Sequence, residues 1–212
     1  MPAVLLALLS SLSYGVSDYL GGLKSRLLPV VTVLLVSHTA ALIGITLTLA
    51  IAVGEVPDSR FLIYGMLAGV AEAVGLAALY QGLAVGKMSI VAAVAATAPV
   101  VPVIASVATG DMPAALQWLG IIIAIGGISL LALGSAREDD PHALSRPGVS
   151  IAYGLLTALG LGFFLLAMDR SAEGSVQWAL IVARTTTVGL FTVAFLLLRP
   201  EGELKLTDWG WL

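Results

Sequence analysis

The chain has 212 residues, 59% of them hydrophobic and 11% charged, with a net charge of -3 and a mean hydropathy of +1.04. A soluble domain carries about 25% charged residues, and no polar stretch here is long enough to bury a core of its own, so a soluble enzyme or binding module is excluded. The lack of a basic run excludes nucleic acid as a partner, and the absence of cysteine excludes disulfides, thiolate metal sites and thiol nucleophiles.

A helix crosses a hydrocarbon core roughly 30 Å thick with about 20 apolar residues. That yardstick predicts spans at 2–22, 30–53, 61–85, 88–108, 114–134, 148–168 and 176–198, and hence an all-α, polytopic transmembrane bundle. The first span lacks the basic start of a signal peptide and runs too long for one. Near its end Asp18 lies within two turns of Lys24 and Arg26, which reads as an interfacial ion pair or a helix-end group.

Span two carries His38, too deep to reach the interface by snorkelling. Span three carries Glu72 near mid-depth, on one helical face with Gly65, Gly69 and Tyr80. The Gly65-xxx-Gly69 spacing lets a partner helix approach on that face. An intramembrane acid costs enough to mark a functional site, so Glu72 reads as a proton-binding or cation-binding group. The structural alternative is a counter-ion to His38 or Arg184.

Span four is interrupted by Pro99 and Pro102, which remove helical donors and predict either a broken helix whose carbonyls line a site or a simple kink. Gly82-xxx-Gly86 and Gly126-Gly127 read as close helix packing, because no strand or phosphate-loop pattern accompanies them. The segment 135–147 is the longest polar stretch and the natural divider of the chain. Its His142 is out of reach of His38, so no metal site is expected. Span seven carries Arg184, a second deep cation that would join His38 in holding an anionic or amphoteric substrate, or else be satisfied by helix-end carbonyls. Trp118, Trp178, Trp209 and Trp211 fall near span ends, as an aromatic belt requires.

Sliding the chain on itself by about 145 residues sets Val4, Ala7 and Gly15 on Val149, Ala152 and Gly160. One further residue of offset sets Leu34, Val36, His38 and Thr39 on Leu180, Val182, Arg184 and Thr185. Matches among Leu, Val and Ala are cheap in a membrane protein, but a pairing of two mid-span cations is less so. With five spans before the divider, the second unit starts on the opposite side of the membrane, giving an inverted repeat. The expected units are 1–134, a complete five-helix repeat, and 148–212, an incomplete one that stops as Asp208-Trp209-Gly210-Trp211 enters a further span.

Several stretches carry a family resemblance. Tyr14-Gly15-Val16-Ser17 resembles the aromatic-Gly motif of the first span in EamA-like proteins of the drug/metabolite transporter superfamily. The run from Ala78-Leu79-Tyr80-Gln81-Gly82 through Pro99-Val100 is similar to that family's span-three to span-four signature. Gly110-Asp111 with Gln117, Gly120 and Gly127 looks like the close of its repeat, and Arg184 falls where the family's span-two Arg recurs. Here His38 stands where an Arg is common, and Asp111 replaces the usual Glu.

The resemblance implies ten spans in two inverted five-span repeats and a secondary transporter. It further implies an exporter or exchanger of small metabolites such as amino acids, in the cytoplasmic membrane, often proton-driven. It places both termini in the cytoplasm, whereas the Lys and Arg count over the loops places the N-terminus outside. The expected substrate cavity is lined by His38, Glu72, Tyr80, Gln81, Pro99 and Arg184, with Glu72 coupling protons and Arg184 holding an anionic group. The expected partners are the lipid bilayer, a small-molecule substrate, protons and a second copy in a homodimer, with no cofactor, metal or catalytic residue. The rival expectation is a non-transporting fragment or helix-interaction subunit, left by the incomplete second repeat.

Overall fold

The structure is a computed structural model that describes residues 2–49, 54–110, 112, 114–135 and 147–199. Within them the chain forms α1 (Pro2–Lys24), α2 (Val30–Leu49), α3 (Ser59–Val85), α4 (Met88–Ala95), α5 (Val100–Ala108), α6 (Ala115–Ser135), α7 (Pro147–Ala172) and α8 (Val176–Leu198). Among the described residues six apolar spans are long enough to cross a bilayer: α1, α2, α3, α4 and α5 taken together, α7 and α8. The apolar helix α6 follows, with 21 residues. Helices apolar on every side suit a lipid surround; the chain is a multi-pass helical membrane protein.

The expected interruption of span four is present. Pro99 cannot donate to Ala95 or Pro102 to Ala98, and the chain takes up those carbonyls with tighter i→i−3 bonds from Ala98 N–H (3.0 Å) and Val101 N–H (3.1 Å). Thr97 Oγ1 donates to Val94 O at 2.7 Å. The result is a turn over residues 96–99 that separates α4 from α5.

α3 is the most enclosed span and α1 the least. Its enclosure rests on small residues. Gly75 lies against the backbone of Leu161, and Gly160 against Gly75 and the Ala71 carbonyl, so α3 and α7 meet nearly backbone to backbone. On the face predicted from Gly65 and Gly69, α8 packs instead: Gly65 meets Val182, and Gly69 meets the Ala183 carbonyl and Thr186. Gly162 of α7 closes on the Ala98 carbonyl and Val101, which covers the α4–α5 break from that side. The expectation for Gly82 and Gly86 holds, since they meet Tyr153 and Ser150 of α7. That for Gly126-Gly127 does not, because no atom of a neighbouring helix among the described residues lies within 4 Å of a Cβ placed at either position.

Three hydrogen bonds tie the ends of these helices. Ser171 Oγ donates to Phe61 O at 2.8 Å, Lys87 N–H to Ser150 Oγ at 2.9 Å, and Trp178 Nε1–H to Gly54 O at 3.1 Å. Trp118 and Trp178 lie near the starts of α6 and α8; Trp209, Trp211 and His142 lie outside the described residues.

Candidate functional site

α3 and α8 cross where three polar side chains face one another. Glu72 is 5% exposed, yet it is fully partnered. Its Oε1 accepts from Arg184 Nη1 at 2.8 Å, and its Oε2 accepts from Thr187 Oγ1 at 2.8 Å. Arg184, Thr187 and Phe191 share a face of α8 at spacings of three and four. Gly69, one turn before Glu72, lets α8 approach closely enough for the two side chains to meet. The deep carboxylate and the deep cation thus neutralise each other, which is what burial of either requires.

Thr187 is the member of this group that the sequence did not single out. Its hydroxyl is wholly buried and has further acceptors in Gly69 O and Ala183 O, each at 3.0 Å. A hydroxyl holds one proton and can also accept. With Glu72 ionised, Thr187 donates to the carboxylate. With Glu72 protonated, the carboxyl O–H donates to Thr187 and the Thr proton turns to either carbonyl. Both charge states of Glu72 are therefore hydrogen-bonded without backbone movement.

His38 joins this region from α2. Its Nδ1 lies 3.1 Å from Leu34 O; a carbonyl only accepts, so Nδ1 carries the proton in a neutral ring, with Ser37 Oγ 3.2 Å away. The ring packs edge-on against Phe191, centroids 5.5 Å apart and planes at 80°, within electrostatic reach of Arg184. Its Nε2 is buried without a hydrogen-bond partner among the described residues, leaving a lone pair to accept from a donor.

Tyr80 belongs to a second place, about 12 Å further along α3 at 1.5 Å per residue. It is 3% exposed, and its ring lies against α1 where Gly21 leaves room for it. Its hydroxyl donates to Asp18 Oδ1 at 3.5 Å. Two cavities flank this contact. One of about 820 Å³ lies between α1 and α2, with Ser13, Ser17, Lys24, Ser37 and Tyr80 on its wall. Another of about 500 Å³ lies between α1, α3 and α4, with Asp18, Tyr19 and Ser89 on its wall. Gln81 is half-buried beside Tyr80, and Pro99 is exposed at the α4–α5 turn. The six predicted residues thus occupy three places: Glu72, Arg184 and His38 at the α2–α3–α8 crossing, Tyr80 and Gln81 near α1, and Pro99 at the break.

Among the described residues no group of three or more His, Asp or Glu is placed to hold a metal ion. α3 thus meets a deep cation at Glu72 and, at Tyr80, a mostly apolar cavity whose wall carries four hydroxyls and Lys24. No curated protein and no solved structure matches the chain. The family model described as the EamA-like transporter family matches residues 1–133, more than half of the chain, and the protein belongs to that family of membrane transporters.

Proposed function

We propose that the chain works in a secondary transporter that moves a small metabolite, such as an amino acid or a relative, across the cytoplasmic membrane by alternating access. The observation that carries this reading is the Glu72–Arg184–Thr187 contact. In the proposed division, 1–134 is one five-helix unit, 135–147 the connection and 148–212 part of an inverted second unit. The contact then joins span three of the first unit to span seven in the second. Two units that rock against each other need a polar contact between them that can break and reform, and an ion pair with a second hydrogen-bonding state meets that need. The end of the family match at residue 133 supports the same division.

In this reading, an anionic group of the substrate competes with Glu72 for Arg184. The displaced carboxylate takes up a proton and keeps it, hydrogen-bonding through the new O–H to Thr187 Oγ1, so substrate binding and proton binding are linked. His38 Nε2 accepts from a donor on the substrate, and the cavity between α1 and α2 is the path to the contact. Uptake and efflux of a labelled amino-acid panel in vesicles, with and without a proton gradient, tests this. The expected result is gradient-driven flux that becomes gradient-independent in Glu72→Gln; full gradient dependence in that variant removes Glu72 from coupling.

A further inference from the structure

Asp18 was expected to be an interfacial ion-pair or helix-end residue. In the structure its hydrogen-bond partner is instead Tyr80, 62 residues away on α3. The arrangement is a built one. Gly21, one turn on from Asp18, has no Cβ, and the Tyr80 ring fills that space. The ring is thereby fixed with its hydroxyl towards Oδ1. Orienting a carboxylate through one oxygen leaves the other for a second donor.

That carboxylate stands on the wall of the cavity of about 500 Å³, a size that holds a small organic molecule. The rest of the wall is mostly apolar, including Leu79, Leu83 and Met88, with Tyr19 and Ser89 also on it. Among the described residues lining it there is no Lys, Arg or His. A carboxylate inside a membrane span is costly without a counter-charge, and this wall supplies none. Asp18 lies about 9 Å from the end of α1, at 1.5 Å per residue, so a ligand reaches it from the interface without crossing the bundle.

We propose that Asp18 anchors a binding site for a small molecule carrying a protonated amine on an apolar body. The ammonium pairs with the free oxygen of Asp18 and is steadied by the face of Tyr19 and the hydroxyl of Ser89. The apolar body lies on the Leu and Met wall. The site rests on the transporter reading only for its physiological meaning, and binding itself is measurable apart from flux.

The test is equilibrium binding of phenethylamine and of its neutral counterpart 2-phenylethanol to the full chain in lipid nanodiscs, with empty nanodiscs to subtract partitioning. The amine is expected to bind about tenfold more tightly than the alcohol, the scale of one charge-assisted contact. Asp18→Asn brings the amine down to the alcohol's affinity, and Asp18→Glu keeps a preference. Tyr80→Phe, which retains the carboxylate, weakens the amine about threefold without erasing its advantage. Equal binding of the two probes by the native chain overturns the proposal, and so does an undiminished amine preference in a folded Asp18→Asn. If Asp18→Asn fails to fold, Ala92→Trp decides, because it fills the same cavity: loss of amine binding upholds the site and retained binding overturns it. Absent flux with an intact amine preference counts against the transporter reading and leaves the site standing.

Discussion

The two sides of α3 are built on opposite plans. Towards α7 and α8 it presents glycines, and backbones close on one another around a neutralised ion pair. Towards α1 and α2 it meets looser neighbours, the space is cavity, and the polar groups on the walls are hydroxyls, Lys24 and the Asp18 carboxylate. Close packing fixes the position of charged groups that have no alternative partner in lipid. Loose packing leaves volume that a small molecule can occupy. The contrast separates a closely packed seam, grooved only along the outer edge of α3 and α7, from a side of the same helix where the space between helices is cavity.

Breaking the seam is the most direct way to test it. Glu72→Leu leaves Arg184 as a buried cation without its carboxylate, and the expected loss is about 3–5 kcal/mol, read as unfolding in mixed micelles. Restoring neutrality with Arg184→Met in the same chain should recover most of that loss, because a removed pair is cheaper than a broken one. Next in size is Gly160→Val. Its side chain has no room beside Gly75, and an overpacked contact of this kind costs about 1–3 kcal/mol. Thr187→Val removes the hydroxyl from Glu72 with little change of shape. An interhelical hydrogen bond in a membrane averages about 0.6 kcal/mol, so its effect on stability is small, while Thr187→Ser should match the native protein. On the other side, Leu12→Ala on the wall of the α1–α2 cavity should stay within about 0.5 kcal/mol. If Leu12→Ala costs as much as Gly160→Val, the two sides of α3 are alike and the contrast fails.

Much of this could be read from residue order. Hydrophobic length located the helices, and the two prolines located the break, because a missing N–H acts locally wherever the chain folds. The Gly65-xxx-Gly69 face and Glu72 pointed to a close partner helix, and the offset between His38 and Arg184 put Arg184 among Glu72's candidate counter-ions. Thr187 was not legible. Threonine in an apolar helix ordinarily bonds its own preceding turn, as Thr157 and Thr186 do here, and only the crossing with α3 adds a carboxylate to its reach. Asp18 was misassigned for a similar reason. Sequence proximity favoured Lys24 and Arg26, whereas Gly21 brought in a tyrosine from a different helix. Gly126-Gly127 shows the converse, since a small-residue pair marks a packing face only when a helix comes to it.

The span between the members of the buried pair also governs how the protein is made. Thr187, on the helix that also carries Arg184, follows Glu72 by 115 residues. At about 5–20 residues per second, α3 therefore leaves the ribosome roughly 6–23 s before the helix that will neutralise its carboxylate. During that interval the Glu72 carboxyl is without Arg184 and Thr187, its partners in the folded chain. The charge pair at the centre of the seam is therefore a late product of assembly, formed only when α8 docks.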